Sequence, residues 1–75
     1  MTHLPILKAK DLIKILGEIG FREMRQRGSH LFFQHPDGRT TLVPIHSNED
    51  IGRGLLRRIL RETDISPDEF LKLMK

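Results

Sequence analysis

The chain has 75 residues, enough for one domain with a thin core, because a domain of about this size buries only about 60% of its unfolded surface. It contains no Cys, which excludes a disulfide framework and a thiolate metal site, and no apolar run approaches the roughly 20 residues of a membrane-spanning helix. Without such a run, the sequence predicts a single cytoplasmic domain over residues 1–75 with no membrane partner. The net charge of +3 favours an anionic partner.

The first predicted element is a helix from Ala9 to Ile19, which follows a short N-terminal lead over residues 1–7. Leu12, Ile13, Leu16 and Ile19 recur at helical spacing and make one apolar stripe. Gly20 suits the position after a helix, where a left-handed backbone is common. The role predicted for this helix is structural.

Three strands are predicted next, over Phe21 to Gln26, His30 to Gln34, and Arg39 or Thr40 to Val43. Gly28 provides the tight turn between the first two strands, because glycine adopts positive φ without steric cost. The run His35-Pro36-Asp37-Gly38 is a strong turn signal between the second and third. Short turns between successive strands predict an antiparallel meander.

Alternation along the strands predicts which side chains face the core. If Leu31 and Phe33 point toward the helices, His30 and Phe32 lie on the opposite, open face of the sheet. Leu42 then shares the open face with Phe32. An exposed apolar pair of this kind indicates a binding surface.

A second helix is predicted to start near Asn48, with Ser47 or Asn48 as its N-cap. A third begins at Ser66-Pro67-Asp68-Glu69, which has the residues of a capping box. The predicted fold is therefore α+β: an α-β-β-β-α order with a three-stranded antiparallel sheet, helices on one face and a short C-terminal helix.

His30 is the candidate catalytic residue, because an imidazole exchanges protons near neutral pH. Arg25 and Arg27 place fixed positive charge beside it, and the combination suits phosphodiester cleavage. The simpler interpretation is that His30 has no catalytic role, as is true of most histidines in small proteins. His35 and His46 are candidates for a second proton-transfer group.

Several other residues are predicted to contact RNA. Two of them, Arg53 and Arg57, lie one turn apart on the second predicted helix, where a row of arginines more commonly marks a solvated face. A metal site formed by His30, His35 and His46 has little support. No cofactor is predicted. The predicted RNA-binding set is Arg25, Arg27, Gly28, Ser29, Arg39, Arg53 and Arg57.

A set of short motifs in a fixed order covers nearly the whole chain. The turn Gly28-Ser29-His30, the hairpin His35-Pro36-Asp37-Gly38-Arg39, the helical run from Gly54 to Leu60 and the tail from Ile65 to Phe70 together resemble the HicA (YcfA-like) toxin family. No single motif is specific, but their order in a chain of this length is.

The resemblance implies a fold like that of a double-stranded RNA-binding domain (dsRBD-like). It also implies metal-independent cleavage of mRNA with His30 as the catalytic histidine, and neutralisation by a HicB-type antitoxin. Phe32 and Leu42 are the residues expected to bind that antitoxin. In the implied reaction the 2′-OH of RNA supplies the nucleophile. The alternative function is a non-catalytic double-stranded RNA-binding module of the same fold.

Three positions depart from the pattern of the family that the chain resembles. Leu31 stands where many members have a second histidine, so no role for paired histidines carries over. Leu55 stands where many have a threonine, which removes a hydroxyl contact at the second helix. Asp64 replaces a common glycine, which should affect only the turn.

Overall fold

The computed structural model describes residues 3–45 and 50–74 of the chain. It is an α+β fold in which a three-stranded antiparallel sheet is covered by helices. The elements in chain order are β1 (Leu7–Lys8), α1 (Ala9–Glu18), β2 (Arg22–Arg27), β3 (His30–Gln34), β4 (Thr40–Pro44), β5 (Asp50–Ile51), α2 (Arg53–Thr63) and α3 (Pro67–Leu73).

The main sheet has the order β2-β3-β4, which is the predicted antiparallel meander. The predicted face assignment is confirmed. Leu31 and Phe33 are 4% and 2% exposed and lie in the core, whereas His30 is exposed and Phe32 is half-buried on the open face. Leu42, the cross-strand partner of Phe32, is 40% exposed.

Both longer helices bury an apolar stripe against the core face of this sheet. In α1 the buried residues are Leu12, Ile15 and Leu16. Ile15 was not in the predicted stripe, and two residues that were, Ile13 and Ile19, are only half-buried. The two helices contact β4, and α3 adds Phe70, which is fully buried. Burial of each such side chain stabilises the fold by roughly 1.5–3 kcal/mol, so a small domain depends on all of them.

The N-terminal segment is part of the core, which corrects the prediction of a simple lead over residues 1–7. Leu4 and Leu7 are 1% and 6% exposed. Strand β1 pairs with β5, with Leu7 opposite Ile51, and Lys8 Nζ lies 3.1 Å from a carboxylate oxygen of Asp50. A two-residue ladder is too short to leave an alternating pattern in the sequence.

The same ladder makes the predicted start of the second helix wrong. Helix α2 begins at Arg53, and its N-cap is Gly52 in an extended conformation with φ −73° and ψ 165°. Ile51 has the spacing of a helical apolar residue, but it is a buried strand residue opposite Leu7. The predicted caps Ser47 and Asn48 lie outside the described residues.

The turn between β3 and β4 holds the C-terminal ends of both long helices. His35 Nδ1 accepts the backbone N–H of Asp37 at 3.1 Å, so its Nε2 donates to Ile19 O, also at 3.1 Å. Arg39 Nη1 donates to Thr63 O at the end of α2. Two side chains of one hairpin thereby satisfy carbonyls that the helix ends leave free.

The remaining predicted boundaries follow local capping chemistry. At α3, Ser66 Oγ accepts the backbone N–H of Glu69 at 3.1 Å, with Pro67 in the first turn. At the end of α2, Asp64 has the left-handed conformation with φ 56°. That is the position at which glycine is favoured after a helix.

Candidate active site on the open sheet face

A tight hairpin turn presents His30 at the first residue of β3. Gly28 has φ 56°, its carbonyl accepts a hydrogen bond from Gln26 Nε2 at 2.9 Å, and Ser29 O accepts the backbone N–H of Ile45. These bonds fix the backbone on both sides of the turn. The His30 side chain is exposed, and its backbone is paired with β2 on one side and β4 on the other.

Two arginines of β2 lie directly across the ladder from the open-face residues of β3. Arg27 is the partner of His30, and Arg25 is the partner of Phe32. The Arg25 guanidinium carbon lies 5.5 Å from the centre of the Phe32 ring, within the range of a cation–π contact. A depression of about 140 Å³ is lined by Arg25, Arg27, His30, Phe32 and Leu42.

A β-bulge brings a third arginine to this face. The register shifts between Glu23 and Arg25, which leaves Met24 without a partner in β3, and Arg22 pairs with Gln34. Gln34 shares the open face with His30 because it lies four positions further along the strand, an even number. Strict alternation would place Arg22 and Arg25 on opposite faces, whereas the extra residue puts both on the open face, with Arg22 opposite Gln34 at the far end of β3 from His30.

The open face is basic and partly apolar. Within β2, β3 and β4, all of which the structure describes, no Asp or Glu is paired at an open-face position, since Glu23 is the partner of the core residue Phe33. The His30 ring is exposed, and its nitrogens are available to a ligand as hydrogen-bond donor and acceptor. The arginines present the donors that match a phosphate. The arrangement therefore suits an anionic ligand that undergoes proton transfer.

The other arginines that the sequence singled out lie elsewhere. Arg39 is in the turn at the far end of β3, where its Nε donates to Asp37 at 2.8 Å and its guanidinium carbon lies 5.2 Å from the centre of the Phe21 ring. Arg53 Nε donates to Leu4 O at 2.6 Å. Arg57 is exposed on α2, in the helical layer behind the sheet.

The other candidate histidines are not assembled with His30. His35 follows the opposite end of β3, roughly 16 Å away at about 3.3 Å per residue, and both of its ring nitrogens are hydrogen-bonded. His46 lies outside the described residues. In residues 3–45 and 50–74, no three His, Cys, Asp or Glu side chains are grouped as ligands of a metal ion would be.

Sequence reasoning missed two arginines at the margins of this face. Arg22 reaches it through the bulge at Met24, which leaves no signal in the residue pattern. Arg58 Nη2 donates to Leu42 O at 2.7 Å on the outer edge of β4, and its Nε lies 3.7 Å from a carboxylate oxygen of Glu62. Arg58 was not singled out from the sequence as a site residue, because nothing in its local spacing shows that it reaches the strand.

The fold and this face define a small α+β domain with a basic surface suited to an anionic ligand. Residues 9–65, more than half of the 75-residue chain, match the family model described as the HicA toxin of bacterial toxin–antitoxin systems. The chain belongs to the HicA toxin family, and membership implies an antitoxin partner. No curated protein matches it significantly. None of the helices in the described residues is long and apolar enough to span a membrane.

Proposed function

We propose that this chain is a metal-independent endoribonuclease that cleaves mRNA, with His30 as its catalytic residue. The observation that carries the proposal is the position of His30, exposed at the end of β3 and opposite Arg27 across the ladder. A histidine in this position has little packing role. It is, however, within reach of any phosphate that Arg27 binds.

In the proposed reaction, His30 removes the proton from a ribose 2′-OH. The 2′-oxygen then attacks the adjacent phosphorus, and the bond from phosphorus to the 5′-oxygen of the next nucleotide breaks. That oxygen leaves with a proton taken from a second group or from water. The products are a 2′,3′-cyclic phosphate and a 5′-hydroxyl, and a general base contributes about a hundredfold to ten-thousandfold to such a step.

Arg25 and Arg27 have the role of stabilising charge on the phosphate as the fifth bond to phosphorus forms. Gly28 and Ser29 border the site, and the small side chains of this turn allow the RNA backbone to approach closely. Arg39, Arg53 and Arg57 contribute positive potential from greater distance, because two of them hold protein carbonyls and the third lies in the helical layer.

The antitoxin proposed for this chain is a HicB-type protein that covers the open face. Phe32 and Leu42 provide an apolar centre, and the arginines beside them favour an acidic partner, since charge complementarity gives an interface its specificity. Such a partner hides His30 from RNA. A complex in which His30 remains accessible to solvent contradicts occlusion as the mechanism of neutralisation.

The test of the proposed function is cleavage of an mRNA fragment by the purified protein in the presence of EDTA. We expect cleavage to persist, and we expect the products to end in a 2′,3′-cyclic phosphate. Binding of RNA without any cleavage would instead identify the chain as a non-catalytic RNA-binding module of the same fold. Cleavage that EDTA abolishes would contradict the metal-independent mechanism.

A further inference from the structure

The middle of the open face has an aromatic side chain that neither the core nor the proposed chemistry requires. Phe32 is half-buried on the side of the sheet without helices. Its cross-strand neighbours are Arg25 and Leu42, so one ring meets a guanidinium on one side and an exposed aliphatic side chain on the other. An aromatic ring kept at a wet surface indicates a ligand that uses it.

Phe32 and Leu42 also separate two depressions of the surface. The smaller, about 140 Å³, extends from them to Arg25, Arg27 and His30. The larger, about 390 Å³, extends the other way to Glu62 and is lined also by Thr40 and Thr41. The apolar pair therefore lies between the depression that contains the arginines and His30 and a second depression that contains no arginine.

We infer that Phe32 and Leu42 form a subsite for a nucleobase, and that the RNA substrate is unpaired at the site of cleavage. The inference rests on the proposed function and names the substrate of the same site. A phosphate held between Arg27 and His30 leaves the base of an adjoining nucleotide beside Phe32, the next side chain along the same face of β3. Stacking on an aromatic ring flanked by arginine is how proteins hold single strands without reading their sequence.

This subsite requires a base that is free of its neighbours. In a duplex both faces of each base are stacked and its edge is paired, so no base reaches a ring on a sheet surface without being unstacked. Recognition of duplex shape uses phosphates and 2′-hydroxyls, and it gives the half-buried Phe32 ring no part in binding RNA. The position of Phe32 therefore favours a single strand over a duplex.

The inference is tested by binding, with cleavage removed. The probe is an unstructured RNA decamer that carries one 2-aminopurine, whose fluorescence is quenched when the base stacks on a ring. We compare the His30→Ala protein with the same protein carrying Phe32→Leu, Phe32→Tyr or Ile6→Ala. Leucine keeps the apolar surface and removes the ring, tyrosine restores the ring, and Ile6 is a matched exposed apolar residue, 52% exposed, outside the sheet face.

We expect quenching with the parent protein, with Phe32→Tyr and with Ile6→Ala. With Phe32→Leu we expect the quenching to disappear and the affinity to fall by about tenfold to a hundredfold, the range for loss of one base stack. Annealing a complementary strand to the decamer should weaken binding by a similar factor. Thermal denaturation of each variant confirms that it is folded.

Equal quenching by Phe32→Leu and Phe32→Tyr overturns the base subsite, as does equal affinity for the decamer and its duplex. If Phe32→Leu weakens only the complex with the antitoxin and leaves RNA quenching unchanged, the apolar pair belongs to the antitoxin interface alone, and the inference is wrong. Because the binding assay uses a protein without His30, absence of cleavage by the wild-type protein would remove the proposed reaction and leave this result standing.

Discussion

Gly20 and His35 approach so closely that a Cβ on Gly20 would lie 2.8 Å from His35 Nε2. Gly20 also has φ 103°, a conformation that residues with side chains rarely adopt. His35 is held there by its hydrogen bond to Ile19 O and by edge-on contact with Phe21, whose ring centre is 5.0 Å away. The turn after α1 therefore depends on glycine for two separate reasons.

We expect Gly20→Ala to lower the free energy of unfolding by more than the matched variant Gly38→Ala. Gly38 has nearly the same φ, 101°, but nothing lies within 4 Å of an added Cβ. Both variants incur the backbone cost of positive φ, about 1–2 kcal/mol, and only Gly20→Ala displaces His35, which adds about 1–3 kcal/mol. Urea denaturation measures the difference, and equal losses would mean that His35 moves aside without cost.

The charge on Asp37 predicts how stability depends on pH. The pKa of Asp37 lies below its ordinary value of 3.8, chiefly because the Arg39 side chain donates hydrogen bonds to its carboxylate. A lowered pKa in the folded state means that the carboxylate stabilises the fold at pH values above its unfolded pKa. That contribution is lost as the pH falls through the folded pKa.

Asp37→Asn should therefore be less stable than the wild-type protein at pH 7, and the difference should shrink below about pH 4, where the unfolded carboxyl begins to protonate. Chemical denaturation of both proteins from pH 7 to pH 2.5 measures this. A difference that stays constant across the range would show that Asp37 acts through its shape and not through its charge.

Sequence patterns predicted the central part of this fold because the residues there obey simple periodicities. The bounds of β3, the faces of Leu31 and Phe33, and the Ser66 cap follow from alternation and capping chemistry. The β1–β5 ladder was missed because two residues leave no period, and Ile51 has the spacing of a helical residue. Pairing between segments that are far apart in the sequence depends on the tertiary structure, which local spacing does not show.

The candidate site shows the same division. The grouping of His30 with Arg25, Arg27, Phe32 and Leu42 follows from a hairpin whose register is set at Gly28. Arg22 lies on the open face because of a bulge in β2. Arg39 and Arg53 donate to protein carbonyls instead of facing this site, because the segments that carry those carbonyls lie close to them in the fold. Neither is encoded in local residue spacing.

Asp64 follows α2 in a left-handed conformation, at a position where glycine is common in the family that the sequence resembles. Substitutions there test how much the turn depends on that conformation. The φ of 56° at Asp64 is strained for a residue with a side chain, although Asp tolerates it better than most. We expect Asp64→Gly to raise the free energy of unfolding by about 0.5 kcal/mol and Asp64→Val to lower it. Thermal denaturation compares the three proteins, and a less stable glycine variant would show that the Asp64 side chain itself supports the turn.

The basic sheet face should make RNA binding dependent on salt, because bound arginines release counterions from the phosphates. Reversal of one phosphate-binding charge should weaken binding and reduce the slope of log affinity against log salt by about one or more. We expect this of Arg27→Glu, whereas Lys10→Glu, which makes the same change in net charge on α1, should leave the slope nearly unchanged. Affinity is measured over 50–300 mM salt. If both variants reduced the slope equally, RNA would bind elsewhere, or its binding would depend on net charge alone.

The central claim is that His30 acts in chemistry and His35 acts in structure. His30 is exposed, so His30→Ala should cost no more than about 0.5–1 kcal/mol of stability. His35→Ala removes a ring with two hydrogen bonds, and it should cost about 1–3 kcal/mol.

The most direct measurement is RNA cleavage in EDTA by the purified His30→Ala protein, with thermal denaturation of the same sample. The account predicts a folded protein whose cleavage rate is lower by about a hundredfold to ten-thousandfold and which still binds RNA. His35→Ala should keep cleaving at temperatures where it is folded. A folded His30→Ala protein that cleaves RNA at the wild-type rate would contradict the account and remove His30 from the mechanism.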